Sequence, residues 1–261
     1  MKEFMCYLTK RGGEVLLKYF GKMSELGIKY KSKNNPVTKA DKETETLLKN
    51  IILGKYPQDK FICEESCSFK KSFSSKDRYW IIDPLDGTVN YTHRLPLFCV
   101  SIAVVEDGII KYASVYNPYS KEFFFAKKGC GATKNDRVIK VSKTTSLSNS
   151  LLVTGFPYYT YKNPKDVFDL FQKFSLKSQA VRRLGSAALD MCYVAEGIFD
   201  GFWEENLEVW DVAAASLIVE EAGGKVTDFF GKDDYLFGRT IIATNGRLHR
   251  QMVDVIKEVQ K

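Results

Sequence analysis

Two aspartates lie three residues apart at the end of an apolar run in the stretch WIIDPLDGT, residues 80–88. Asp83 and Asp86 carry like charges that repel at close range, so a chemical role has to compensate for the arrangement. One such role is a proton-sharing carboxyl pair, as in glycoside hydrolysis or aspartic proteolysis. A second is an aspartyl nucleophile with an acid partner, and a third is a divalent metal site.

The spacing of the two acids argues against an aspartyl nucleophile of the haloacid-dehalogenase type. That pattern, Asp-x-Asp-Gly-Thr, has one residue between the acids, whereas Pro84 and Leu85 separate them here. The tighter spacing is what presents nucleophile and acid to one phosphate. The sequence therefore favours the metal site over this alternative.

Further acidic residues favour a metal site. Glu64 and Glu65 end a predicted strand, whose alternation turns one of them toward the site, and Asp211 lies at a predicted helix start. If these acids converge with Asp83 and Asp86, each pair of charges about 4 Å apart costs roughly 4 kcal/mol at an effective dielectric near 20. Hard oxygen ligands without His or Cys indicate Mg²⁺ as the compensating cation.

Apolar periodicity predicts the elements that position these acids. It indicates a helix over residues 2–23 and a second helix that follows NNPVTKAD and ends at Leu53. Short strand-like runs occupy residues 60–65, 78–83, 98–106, 109–116 and 122–126, with a hairpin signal at 106–108. Later runs at 150–155 and 240–245 alternate with helical stretches. We therefore predict an α+β half, residues 1–145, carrying most metal ligands, and an α/β half, residues 146–261.

Three predicted helix starts lie beside candidate site residues, at Thr88, Ser186 and Asp211. Each has a residue suited to an N-cap. The unpaired N–H groups at a helix N-terminus favour phosphate, although an ordinary cap is the preferred interpretation for any one of the three alone.

The whole-chain figures exclude several classes of protein. The 261 residues carry a net charge of +7 without a block of five or six like charges, which disfavours a nucleic-acid-binding tail. Six cysteines without a CxxC pair predict reduced thiols, and His93 and His249 are interpreted as structural or surface residues. The N-terminus lacks a signal-peptide core, and the longest apolar stretch, residues 98–105, falls short of the roughly 20 residues of a membrane span. We expect a cytoplasmic protein with no membrane partner.

Four blocks together carry a family resemblance: VTKAD (37–41), CEES (63–66), WIIDPLDGTVNY (80–91) and WDVAAASLIVEEAGG (210–224). In this order and with these separations they resemble the inositol monophosphatase family, and residues 184–204 match its intervening segment. The similarity spans nearly the whole chain. It implies a layered α-β-α-β-α sandwich of the sugar phosphatase type.

The resemblance implies a site for two to three Mg²⁺ ions. Glu64, Asp83 and the Leu85 carbonyl would bind a first ion. Asp83, Asp86 and Asp211 would bind a second, with a third, weaker ion near Glu64. Proline would fix the backbone so that these groups face one cavity.

The resemblance also implies roles around the substrate. Thr88, oriented by Asp41, would position a metal-activated water for in-line attack on phosphorus. Gly87 and Thr88 would hold the phosphate, and Glu204 and the Ala187 backbone would contact sugar or inositol hydroxyls.

Two interpretations stay open at these positions. Asp41 also fits a capping box with Thr38, and Glu204 also fits a solvated acid. Against the family pattern, Cys63 and Ala215 stand where Gly is usual. Because Cys67 is nearby in the sequence, a redox role for Cys63 is an alternative, although two inert thiols are the preferred interpretation.

The function implied is Mg²⁺-dependent hydrolysis of a small phosphate monoester, with myo-inositol monophosphate preferred. Fructose 1,6-bisphosphate, NADP, histidinol phosphate and 3′-phosphoadenosine nucleotides are alternatives, which the region around Glu204 and the loops at 155–165 and 30–36 distinguish. A non-enzymatic, nucleic-acid-associated regulator with a vestigial site is the alternative from another class. The resemblance also implies a homodimer and inhibition by lithium.

Overall fold

A computed structural model describes residues 1–22, 29–32, 35–66, 73–157, 160 and 165–259. Side chains are described for these residues except 29–32 and 35–37. Cys67 and part of the 155–165 loop, which the sequence singles out, lie outside the described residues.

The described part of the chain contains seven α-helices and fourteen strands. The helices are α1 (Lys2–Tyr19), α2 (Lys39–Lys55), α3 (Thr88–Thr92), α4 (Lys165–Lys177), α5 (Ala187–Ala195), α6 (Val209–Glu221) and α7 (His249–Val259). The first nine strands are β1 (Lys29–Ser32), β2 (Asn35–Val37), β3 (Lys60–Cys63), β4 (Tyr79–Asp86), β5 (Cys99–Glu106), β6 (Ile109–Asn117), β7 (Glu122–Lys127), β8 (Ala132–Lys134) and β9 (Arg137–Val138). The later strands are β10 (Leu151–Thr154), β11 (Ala180–Arg182), β12 (Gly201–Glu205), β13 (Lys225–Thr227) and β14 (Thr240–Thr244).

The strands form two main sheets. The seven-stranded sheet has the order β3-β4-β5-β6-β7-β8-β9, in which β3 and β4 are parallel and the remaining neighbours are antiparallel. The five-stranded sheet has the order β11-β10-β12-β14-β13. In it β10 runs parallel to both of its neighbours, and β14 runs antiparallel to both of its own. Strands β1 and β2 pair separately.

Three apolar cores separate the layers. Helices α1 and α2 cover one face of the seven-stranded sheet, where Leu8 and Leu48 pack with Val100. Helices α5 and α6 lie between the two sheets. Because successive strand residues point to opposite faces, Phe202 of β12 joins this middle core, while Trp203 joins the core under α4 and α7. The predicted α-β-α-β-α sandwich is confirmed.

The position of α6 explains its composition. Its sequence VWDVAAASLIVEE is buried on all sides from Val212 to Val219, because a sheet lies on either side of the helix. Ala215, where the family pattern has Gly, is fully buried there. The outer helix α7 instead has one buried face, with Met252 and Ile256, and one polar face.

Most predicted elements appear within a few residues of their expected bounds. The hairpin signal is confirmed, since Asp107 and Gly108 link β5 to β6 with φ values of 55° and 74°. In the described part of the chain, no helix has the length and apolarity to cross a bilayer. The division into residues 1–145 and 146–261 remains a proposal, because α5 and α6 pack against both sheets.

Candidate active site

A β-bulge in β4 accounts for the proline of the DPLD stretch. Asp83 and Asp86 are three positions apart, but they pair with residues only two positions apart on β5. Pro84 and Leu85 lie in this irregularity, where a residue without an N–H is tolerated inside a sheet. The Leu85 N–H donates to Asp83 Oδ1 at 2.9 Å. The bulge therefore holds both acids and the Leu85 carbonyl at one end of the strand.

Gly87 turns the chain from β4 into α3. Its φ is +87°, and a Cβ atom there would lie 2.7 Å from the Leu97 carbonyl oxygen. This left-handed, tightly packed turn requires glycine, whereas the approach of a phosphate stays a prediction. Thr88 begins the five-residue helix α3 as expected, and its hydroxyl donates to the Leu85 carbonyl oxygen at 2.9 Å.

Four acids from three distant segments act on one another at this end of β4. The parallel pairing of β3 and β4 brings Glu64 beside Asp83. Burial raises the pKa of Asp83 well above its usual range. The negative charges of Glu64, Asp86 and Asp211 raise the pKa of Asp83 further. One buried acid surrounded by three half-buried ones cannot remain fully ionised without a compensating cation.

The donors in this acidic cluster (Glu64, Asp83, Asp86 and Asp211) are oxygen atoms, with the Leu85 carbonyl beside them. That donor set matches the preference of Mg²⁺ for hard ligands. As they stand, the described side chains form no group of three His, Cys, Asp or Glu that could hold a metal ion. The fit therefore rests on donor chemistry and shared charge. The Leu85 carbonyl has a second lone pair besides the one that accepts from Thr88.

Hydrogen bonds orient Asp86. Its Oδ2 accepts from the Ser186 hydroxyl at 2.5 Å and from the Ala188 N–H at 2.9 Å. The Cys99 thiol donates to the same oxygen at 3.7 Å. Burial raises the pKa of Asp86, and these hydrogen bonds act in the opposite direction. Sequence reasoning missed the roles of Ser186 and Cys99, because no local pattern links residues that meet through α5 packing on β5.

Asp41 forms a capping box with Thr38, which is one of the two roles that the sequence allows for it. Its Oδ2 accepts from the Thr38 N–H at 2.8 Å and from the Thr38 hydroxyl at 2.5 Å. The Thr88 hydroxyl donates to the Leu85 carbonyl oxygen, and the orientation of Thr88 by Asp41 stays a prediction. Burial raises the pKa of Asp41 to about 7, and the charge of Glu64 contributes. Asp41 therefore borders the acidic cluster while it caps α2.

Asp211 has the same position in α6 that Asp41 has in α2. The helix begins at Val209, two residues before the predicted start, with Glu208 as N-cap. The Glu208 N–H donates to Asp211 Oδ2 at 2.7 Å. In both helices the third residue thus uses one carboxylate oxygen for the cap.

Glu204 and Ala187 lie on the side of the cluster nearest α5. Ala187 begins α5, and its backbone lowers the pKa of Asp86. Glu204 is a buried residue of β12 and not a solvated acid. Burial raises the pKa of Glu204 to about 8, with a contribution from the charge of Asp86. Asp190 of α5, which sequence reasoning missed, is a further buried acid near Glu204.

The histidines lie away from this cluster. His249 is buried, with Thr227 Oγ1 at 2.9 Å from Nε2 and Thr244 Oγ1 at 3.0 Å from Nδ1. His93 ends α3 and is exposed. The expectation that both are structural or surface residues fits these positions. Cys63 is a buried residue beside Glu64.

Comparisons with known proteins agree on one family. The family model described as "Inositol monophosphatase family" matches residues 1–261. The Nus factor SuhB of Pasteurella multocida is 38% identical over 249 residues, which cover 95% of this chain and 92% of that protein. The Bartonella henselae extragenic suppressor protein suhB is 34% identical with a TM-score of 0.91, covering 98% of both chains. The Anabaena inositol monophosphatase is 38% identical with a TM-score of 0.85, covering 97% of this chain and 93% of that one.

Proposed function

We propose that this chain, which belongs to the inositol monophosphatase family, hydrolyses phosphate monoesters with the help of Mg²⁺, with myo-inositol monophosphate as its preferred substrate. The observation that carries the proposal is the convergence of negative charge on the buried Asp83. The four acids come from three different segments of the chain, so the arrangement is a product of the fold and not of one local motif.

In this proposal, the acids would be divided between two main cation positions. Glu64, Asp83 and the Leu85 carbonyl would hold one Mg²⁺, and Asp83, Asp86 and Asp211 would hold the other, with a third, weaker position near Glu64. Bound Mg²⁺ supplies positive charge and Lewis acidity to a phosphoryl group and its attacking water. Asp86 offers Oδ1, because its hydrogen bonds from Ser186, Ala188 and Cys99 all engage Oδ2.

Residues of the β4–α3 turn would bind and orient the reacting groups. The Thr88 hydroxyl donates a hydrogen bond to the Leu85 carbonyl. The hydroxyl oxygen of Thr88 can therefore accept a hydrogen bond from the attacking water. The N–H groups of Gly87 and Thr88 would hold phosphoryl oxygens. On the other side, Glu204 would bind a substrate hydroxyl, with the Ala187 backbone beside the ring.

A panel of phosphates tests substrate and metal together. The panel comprises myo-inositol monophosphate, fructose 1,6-bisphosphate, histidinol phosphate, NADP and a 3′-phosphoadenosine nucleotide, compared by kcat/KM. We expect the first to give the highest value, chelation to abolish turnover and Mg²⁺ to restore it. Asp86→Asn is the matched inactive variant. Undiminished turnover after chelation would contradict the proposal, and a higher kcat/KM for another phosphate would change the substrate alone. Inhibition by lithium in the same assay is expected.

A second candidate function comes from the names of the relatives. Curated relatives 38% identical over most of the chain are named Nus factor SuhB, so a nucleic-acid-associated role is a separate candidate for this chain. Binding to RNA measured against salt concentration tests it. A steep loss of affinity with salt indicates many phosphate contacts, and a shallow one indicates incidental attraction to a basic surface. Sedimentation of the purified protein tests the proposed homodimer.

A further inference from the structure

Gly155 touches the carboxyl group of Glu204. It follows β10 at the start of the loop that leads toward α4. A Cβ atom built on Gly155 would overlap with both carboxylate oxygens and with Cδ of Glu204. No side chain at position 155 can therefore coexist with the observed position of this carboxyl group.

The backbone gives no other reason for glycine at this position. Gly155 is not among the glycines with positive φ, so an L side chain fits its conformation. At Gly87 and Gly185, by contrast, φ values of +87° and +86° themselves favour glycine. What Gly155 supplies is space, and Glu204 occupies that space.

Movement of Glu204 toward α5 is disfavoured by a second buried acid, Asp190. Asp190 of α5 is fully buried, and its two carboxylate oxygens have no hydrogen-bond partner among the described residues. Glu204 and Asp86 already act on Asp190 with their negative charges. A shift of Glu204 toward Asp190 would bring two buried acids closer together, which is costly. A side chain at position 155 would therefore move the carboxyl group out of its binding position.

We propose that Gly155 is a specificity-determining residue, because it leaves the space from which the carboxyl group of Glu204 binds a hydroxyl of a polyol or sugar phosphate. The inference rests on the proposed function and deepens it. Position 155 selects for hydroxyl-bearing substrates and has no part in the chemistry at phosphorus.

The experiment compares Gly155→Ala with the parent on two substrates. For myo-inositol monophosphate, KM rises about ten-fold or more, because the hydrogen bond between a substrate hydroxyl and the Glu204 carboxyl group is lost. For p-nitrophenyl phosphate, which has no ring hydroxyls, KM changes less than about two-fold. The matched control is Gly54→Ala, where a Cβ atom meets nothing within 4 Å and φ is not positive. Equal losses on both substrates, or an unchanged ratio, would overturn the inference.

A double-mutant cycle shows whether Gly155 acts through Glu204. In a Glu204→Ala background, Gly155→Ala changes KM by less than about two-fold, because the carboxyl group it would displace is absent. Independent, additive losses would overturn the inference. If Gly155→Ala alone does not fold, the double variant, in which the overlap is relieved, folds and supports the inference, and its failure to fold counts against it.

A crystal structure of Gly155→Ala provides a readout independent of turnover. A displaced Glu204 carboxyl group supports the inference, and an unmoved one overturns it. The proposed function fails separately, if the parent hydrolyses no phosphate monoester with Mg²⁺.

Discussion

Two polar clusters in this protein, each with a buried aspartate, are built in opposite ways. The acidic cluster at the end of β4 gathers like charges. The second, which we call the Asp200 cluster (Ser142, Asp200 and Asn245), lies beside the five-stranded sheet. There the Asp200 carboxylate accepts from the Ser142 hydroxyl at 2.5 Å and from the Leu151 N–H at 2.7 Å. Asn245 donates to the Ser142 oxygen at 2.8 Å.

The difference distinguishes a polar network that stabilises the fold from a polar cluster that is suited to binding a ligand. In the Asp200 cluster each buried acceptor faces a donor, and such a network stabilises the fold without a ligand. In the acidic cluster, burial and neighbouring charges raise the pKa of Asp83, so the folded chain is left with electrostatic repulsion. Repulsion of this kind is tolerated where a ligand relieves it. Four measurements test whether the two clusters differ in this way.

The largest effect is expected from Asp83→Asn. Removing the charge shared by both proposed cation positions lowers kcat by about a thousand-fold or more. The metal-free variant unfolds at the same temperature as the parent or a higher one, because a repelling charge has been removed. Steady-state kinetics and thermal unfolding with chelator check both parts. A stability loss as large as the activity loss would remove the distinction between the clusters.

Asp200→Ala is expected to have the opposite signature. It leaves the Ser142 hydroxyl and the Leu151 N–H without their acceptor and costs about 2–4 kcal/mol of unfolding free energy. The kcat of the folded variant is unchanged, because Asp200 does not touch the acidic cluster. Urea unfolding and kinetics below the melting temperature measure the two quantities. A variant as stable as the parent would show that the Asp200 network is dispensable.

Added Mg²⁺ is expected to stabilise the parent by about 2.7 kcal/mol at a hundred times its dissociation constant. The cation relieves repulsion among Glu64, Asp83, Asp86 and Asp211. Thermal unfolding with and without Mg²⁺ reports the shift. Asp200→Ala retains the shift and Asp83→Asn loses most of it. Equal shifts in both variants would place Mg²⁺ binding elsewhere.

The smallest effect is expected from His249, whose contribution to stability depends on pH. Burial lowers the pKa of His249 to about 4, and the positive charge of Lys225 contributes. The folded pKa is below the unfolded value near 6.5, so this contribution is complete above about pH 6.5 and is lost as pH falls toward 4. The free energy of unfolding of the parent and of His249→Gln is measured across this pH range. The loss of stability with falling pH should be steeper for the parent.

The acids of the site affect the pH dependence of stability with the opposite sign, over a neighbouring pH range. Their raised pKa values, about 7 for Asp41 and about 8 for Glu204, mean that the folded state binds more protons. Metal-free stability therefore falls as pH rises from the unfolded values near 4 toward these values. Subtracting the His249→Gln curve from that of the parent isolates the histidine, because both proteins share these acids.

Local patterns in the sequence were enough to locate much of the fold. Periodicity located α1, α2 and the strands β3 to β7, and Asp107 with Gly108 located a hairpin. The Asp83–Asp86 spacing pointed to a charged site before any tertiary contact was known. These features depend on neighbouring residues, whose φ and ψ preferences and alternation act within a few positions.

Only the tertiary structure decided how the site is held. Ser186 orients Asp86 across a hundred positions of sequence, and Gly155, in the loop after β10, leaves space for Glu204 of β12. The bulge at Pro84 becomes visible only when β4 is paired with β5. These contacts arise where α5 packs on the seven-stranded sheet and where neighbouring strands pair within one sheet. A close approach between layers is determined by side-chain volume and burial, which leave no periodic trace in one chain.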